Sequence, residues 1–212
     1  MTKRPELSDL ETIASRIALR KPARSEPGSY DQEAAVAVCL RPGDGSIEAL
    51  FIRRAEHPDD PWSGDAAFPG GRRDPADASL WETAMRETLE ETGLDLSASG
   101  TLLGALDDVH PRIVVLPNLN ITPFVARVPA GATATAMSEV VGVAWISLAD
   151  LARPDRAGRR SVEGPSGRRE FPTIHAGDLE IWGLTHRILT QLLEVAGHRG
   201  SMGGEDHLNR AR

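Results

Sequence analysis

Between Phe68 and Leu94 the chain reads FPGGRRDPADASLWETAMRETLEETGL, a glycine turn followed by a strongly specified helix. Ser79 with Glu82 three residues later has the spacing of a capping box, so the helix is expected to begin there. Gly93 stands where a C-terminal cap is needed. On a helical wheel at ~100° per residue, Leu80, Ala84, Thr88, Trp81, Met85 and Leu89 run from about 0° to 180°. This predicts one continuous, mostly apolar buried half. Glu90, Glu87 and Glu91 fall at about 280°, 340° and 20°, a tight acidic cluster with Glu91 on the seam of the buried half.

Three carboxylates crowded on one helix face repel one another, and any near the core loses solvation as well. A divalent cation offsets both costs, and carboxylate oxygens suit Mg²⁺ or Mn²⁺. Arg86 is i,i+4 to Glu90 and adjacent to Glu87, placed to hold one of them. The competing reading is a solvated acidic face. Chance assembly of Arg-Glu-x-x-Glu-Glu-x-Gly, at about 7% per fixed residue, would occur in about one chain of this size in a few thousand.

With 212 residues the chain suffices for one domain with extensions. A net charge of −7 argues against nonspecific nucleic-acid binding, although a bound metal would still admit a phosphorylated small molecule. Cys39 is the only cysteine, which excludes an intrachain disulfide and a thiolate metal cluster. The first residues, MTKRPELSDLETIASR, carry no apolar leader, and no run approaches membrane-spanning length, so a soluble cytoplasmic protein is expected.

Residues 1–30 read as an N-terminal helix (Leu7, Leu10, Ile13, Ala14 and Ile17 at helical spacing), packed on the domain surface, and a polar connector. The domain itself is expected over 31–196, with a disordered tail from 197 to 212. AAVAVCL (34–40) and IEALFI (47–52) read as a hairpin, with Arg53 and Arg54 at its end. Residues 55–67 read as loop, with Trp62, Ser63 and Gly64 either flooring a pocket or simply packed. Strands are expected at 101–106, 120–128 and 140–146, with a helical turn at 147–151. Residues 153–169, rich in arginine, read as a solvated loop or as an electropositive flap meeting an anionic ligand. Residues 171–174 and 179–182 suggest a second hairpin, and 184–196 a closing helix. A mixed sheet flanked by helices, hence an α/β fold, accommodates this order. His57, His110, His175 and His186 have no zinc-ligand spacing and are assigned surface or capping roles.

The stretch Gly71–Leu94 resembles the Nudix box, G-x5-E-x7-R-E-U-x-E-E-x-G-U with U aliphatic. Arg86 to Leu94 match its second half, with Thr88 at an aliphatic position. Eight residues before Arg86 stands Ala78 instead of Glu, and the spacing back to Gly71 is one residue longer. The coenzyme A pyrophosphatase branch has this variant form, FPGG-[KR]-x-D-x-x-D, then five residues, then TA-x-RE-x-x-EE-x-G. The chain is similar throughout, including Asp74, Asp77, Thr83 and Ala84, and its IWGLT (181–185) resembles that branch's last helix. The branch's L-T-x-R-S-x-x-L-R-x-H-x-G-Q run is met only at Arg53, Gly64 and FPGG.

The resemblance implies an α/β/α sandwich with a central mixed β-sheet. It implies that Glu87, Glu90 and Glu91 bind Mg²⁺ or Mn²⁺, with the Gly70 carbonyl as an extra ligand, and that Arg86 orients Glu87 or Glu90. Glu139, six residues before Trp145, matches a family glutamate and is either a further ligand or base or a strand-end surface residue. Arg53, Arg54 and Arg112 are candidate phosphate contacts, with surface ion pairing as the alternative. The implied reaction is hydrolysis of the diphosphate of coenzyme A or acyl-CoA to 3′,5′-ADP and (acyl-)4′-phosphopantetheine. Other nucleoside diphosphate derivatives (ADP-ribose, NADH, dinucleoside polyphosphates) and a noncatalytic ligand sensor are the alternatives. The expected partner is this small molecule, with no nucleic acid or membrane, and many relatives being dimers leaves a homodimer open.

Overall fold

The computed structural model describes residues 9–26, 28–55, 65–111, 118–138, 140–164 and 167–198. Trp62, Ser63, Gly64, His57, Arg112, Glu139 and the tail from 199 lie outside them.

The long central strand β1 (Gln32–Pro42) organises the molecule. It pairs antiparallel with β2 (Ile47–Arg54) through Leu40↔Ala49 and with β4 (Gly70–Arg72) through Ala35↔Gly71. On its other side it runs parallel to β6 (Leu119–Arg127), from Gln32↔Leu119 to Leu40↔Arg127. β6 pairs antiparallel with β5 (Thr101–Ala105), while β2 also pairs with β3 (Ala66–Ala67) and β7 (Val140–Ser147). The result is a mixed seven-stranded sheet.

Side chains on alternate positions of β1 go to opposite faces. Ala35, Ala37 and Cys39 join Ala84 of α2 (Leu80–Thr92) in one apolar cluster. Ala34, Val38 and Leu40 join the other, built with α1 (Leu10–Ala18) and α5 (Gly183–Val195). Helices therefore cover both faces, the expected α/β/α sandwich. Leu96 of the short α3 (Leu96–Ser99) closes the first cluster; Leu148 and Leu151 of α4 (Leu148–Leu151) close the second.

The helix α1 packs on the domain through its apolar face as expected, with Ile13 and Ile17 buried in the main core, each contributing about 2 kcal/mol. Two expectations are corrected. The arginine-rich segment is not a loop. After a turn of 3₁₀ helix (Pro154–Arg156) it forms β8 (Ala157–Gly164) and enters β9 (Gly167–Ala176). These pair from Ala157↔Ile174 to Gly164↔Gly167, and β10 (Leu179–Trp182) adds a third antiparallel strand. Arginines on both faces of the outer hairpin hid the two-residue period. His186 of α5 is buried, not a surface group.

Candidate active site

Both caps of α2 form as expected. Ser79 Oγ accepts from the Glu82 N–H, and Gly93 adopts φ 66° with its N–H on the Leu89 carbonyl. The buried face is turned from the expected one. Thr83, Ala84, Thr88 and Thr92 are buried, while Leu89 is 45% exposed. The helix lies too close to β1 and β4 for large side chains, so a small-residue stripe makes the contact. The hydroxyls of Thr88 and Thr92 are satisfied by the carbonyls of Ala84 and Thr88, each at 2.6 Å. This rotation carries Glu87 and Glu91 inward, beside β4.

Two glycines receive them. At Gly70 (φ +154°) a Cβ would stand 2.3 Å from the Ala35 carbonyl oxygen, so only glycine lets β4 lie this close to β1. Its N–H donates to Glu91 Oε2 at 2.9 Å. At Gly71 a Cβ would stand 2.4 Å from Glu87 Cδ, so the missing side chain is the space the carboxylate occupies.

Arg86 binds the cluster together. Its Nε and Nη2 make a fork onto Asp77 Oδ1 and Oδ2, both at 3.1 Å, and Nη2 also reaches the Arg72 carbonyl at 3.1 Å. Its Nη1 donates to Glu87 Oε1 at 2.9 Å and Glu90 Oε2 at 3.1 Å. The five N–H donors of the guanidinium thus meet five acceptors. Asp77 is buried and also accepts from the Asp74 N–H and Thr83 Oγ1, both at 2.9 Å. The Arg86 fork, aided by these two donors, holds the Asp77 carboxyl well below the usual carboxylate range. Burial pushes the Glu87 carboxyl the other way, upward, with the charges of Glu90 and Asp77 adding to it against Arg86.

Sequence reasoning missed the role of Asp77. Counted back from Arg86, Ala78 stands at the position of the first box carboxylate. Counted forward from Gly71, five residues intervene before Asp77, and this carboxylate takes the arginine.

Asp77, Glu87 and Glu90 share the Arg86 guanidinium, and Glu91 lies beside them on the Gly70 N–H, which makes a carboxylate-rich donor set. A hard divalent cation fits that donor set. Among the described residues no three potential ligands already converge on an ion position, because Glu87 and Glu90 turn to Arg86 and Glu91 to Gly70. Arg53 is placed elsewhere, at the end of β2, where it pairs with Asp178 of the β9–β10 turn. The Arg54 N–H donates to the Asp65 carbonyl at 3.2 Å.

The model of the NUDIX domain matches residues 31–163. The chain belongs to the Nudix family. It is 32% identical over 191 residues to the Nudix hydrolase NudL of Yersinia enterocolitica, covering 87% of this chain and 92% of that one. To the mitochondrial coenzyme A diphosphatase NUDT8 of Mus musculus it is 31% identical over 173 residues, covering 80% and 78%. Among solved structures, a MutT/nudix family protein from Enterococcus faecalis aligns with a TM-score of 0.51 at 18% identity, over 93% of this chain and 80% of that one. That likeness speaks for the fold. The protein is a Nudix hydrolase, a pyrophosphatase whose family generally requires divalent ions such as Mg²⁺ or Mn²⁺. No helix among the described residues is long and apolar enough to cross a membrane.

Proposed function

We propose that this Nudix hydrolase cleaves the diphosphate of coenzyme A or its acyl derivatives, giving 3′,5′-ADP and (acyl-)4′-phosphopantetheine. The observation that carries this substrate is the similarity to a coenzyme A diphosphatase over four-fifths of the chain. The FPGGRRDPAD spacing, with Asp77 seated on Arg86, agrees with it.

In this reading Glu87, Glu90 and Glu91, with the Gly70 carbonyl, hold Mg²⁺ or Mn²⁺. When bound, the ion supplies charge neutralisation at the diphosphate and a more acidic water. Arg86 keeps the helix carboxylates in register and blunts their repulsion. A carboxylate of the cluster, or Glu139, takes the proton as water attacks phosphorus in line. The bond from phosphorus to the bridging oxygen breaks, and the departing phosphate keeps its electron pair. Arg53, Arg54 and Arg112 are candidate phosphate contacts in this reading; engaging Arg53 means releasing Asp178.

A second reading, hydrolysis of ADP-ribose, NADH or a dinucleoside polyphosphate, rests on residues 51–71, which keep only Arg53, Gly64 and FPGG of the branch's run. Incubation with Mg²⁺ or Mn²⁺ and coenzyme A, ADP-ribose, NADH or diadenosine polyphosphates, read by mass spectrometry, separates the two. We expect 4′-phosphopantetheine from coenzyme A. Turnover of another substrate without coenzyme A cleavage would remove the first reading, and undiminished turnover after Glu90→Gln with Glu91→Gln would remove the assigned roles.

A further inference from the structure

The three-stranded sheet β8–β9–β10 has one face in the core and one outward. Ile174, Ala176, Leu179 and Ile181 fill the inner face. By the two-residue period, Arg160, Arg169, Phe171 and Trp182 share the outer one. Phe171 meets Trp182 edge-on at 5.7 Å. The Arg160 guanidinium lies over the Trp182 ring at 4.4 Å, held flat by Asp65 at 3.0 Å and Glu180 at 3.2 Å. Asp65 is the residue before β3, and β3 leads directly through Phe68 and Pro69 to Gly70 and the glutamates. The outer face therefore joins the candidate active site along one short run of chain.

The chain carries −7 overall, yet β8 and β9 together, counted over both faces, hold four arginines against two glutamates. Arg160 is neutralised by its two acids. Arg169 is exposed and has no acid partner among the described residues. It pairs with Val162, two positions beyond Arg160 on β8, so the two arginines stand about 7–8 Å apart at their Cα atoms. An aromatic-backed guanidinium plane is a surface for stacking a flat base. An unpaired arginine that far along suits a phosphate attached to the same nucleoside.

We propose that this outer face receives the 3′-phosphoadenosine end of the substrate, with the purine over the Arg160–Trp182 stack and the 3′-phosphate on Arg169. The assignment rests on the coenzyme A reading and adds to it the means of telling coenzyme A from its 3′-dephosphorylated form. The test compares the intact protein with Arg169→Ala and with Arg159→Ala, the latter an exposed arginine on the opposite face of the same hairpin. The preference in kcat/KM for coenzyme A over dephospho-coenzyme A should fall about tenfold in R169A and persist in R159A. In parallel, calorimetric titration should show adenosine 3′,5′-bisphosphate binding the intact protein about tenfold more tightly than 5′-AMP, the difference vanishing in R169A. Equal losses in the two variants, an unchanged preference in R169A, or no preference for the bisphosphate in the intact protein would each overturn the inference. Absence of coenzyme A turnover by the intact protein with Mg²⁺ or Mn²⁺ would instead refute the substrate reading, and the titration would still decide the site.

Discussion

Gly71 and Glu87 occupy one space between them: the glutamate carboxyl stands 2.4 Å from where a Cβ on the glycine would be. The two glycines of FPGG therefore do different work. Gly71→Ala must push a side chain aside, and the side chain is one of the assigned metal ligands. We expect kcat to fall about tenfold to a hundredfold with a small stability change, since a displacement near 1 Å suffices for such a loss. Gly70→Ala meets the Ala35 carbonyl and a left-handed φ, both backbone constraints, and should cost about 2 kcal/mol or more of stability. Urea unfolding alongside steady-state kinetics checks the pair, and similar stability losses in both variants would contradict the division.

Asp77 and Arg86 give a pH signature. Folding depresses the Asp77 carboxyl, so its stabilising contribution is complete above the ordinary carboxylate value, near pH 4, and is lost as acid titrates the folded group below it. Asp77→Asn should cost about 2–3 kcal/mol at pH 7 by leaving one arm of Arg86 without its anion. The difference from the unmodified protein should stay constant from pH 7 to about pH 5 and shrink under stronger acid. Urea midpoints at pH 7, 5 and 3 test this. Activity should fall about tenfold as well, through slackened Glu87 and Glu90.

Glu87 has the opposite sign. Its carboxyl is pushed upward, chiefly by burial, so the ionised form costs stability at neutral pH and the cost relaxes as pH falls toward its unfolded value near 4.3. Glu87→Gln should therefore stabilise the metal-free protein at pH 7 while abolishing turnover. The gain should close toward pH 4. Added Mg²⁺ should raise the Tm of the unmodified protein more than that of the variant, since linkage rewards only the form that binds. Scanning calorimetry with and without Mg²⁺ measures both effects, and a metal-free variant less stable than its parent would contradict this account of Glu87.

The readable parts of this fold are those in which one local rule acts alone. The capping box at Ser79, the Gly93 cap and the apolar run of β1 each follow from a few neighbouring residues. The rotation of α2 does not, because it depends on how closely β4 approaches, and that is fixed by two glycines in another element. Leu89 obeys the helical wheel and still faces solvent, whereas Thr88 and Thr92 enter the core because their hydroxyls close on the preceding turn. Asp77 was legible only by counting from Gly71, since a one-residue insertion before Arg86 breaks the register from the other side. The β8–β9 hairpin was hidden because both its faces carry charge at the outer end, leaving no alternation to read.

Cys39 offers a test of the sheet itself. It sits fully buried on β1, in the cluster with Leu50 of β2 and Ala84 of α2, and burial pushes its thiol up to about 12. A thiolate is the species that alkylates, and at pH 8 almost none exists at this position. The single thiol should therefore resist iodoacetamide at pH 8 in the folded protein and react fully in denaturant, as mass spectrometry of the alkylated chain would count. The residual folded-state rate then reports opening of β1 against α2. Asp77→Asn, which loosens the turn before that helix, should increase it, whereas Glu87→Gln should leave it unchanged or lower it. Rapid labelling of the folded, unmodified protein would mean that the α2 side of the sheet is not closed over Cys39.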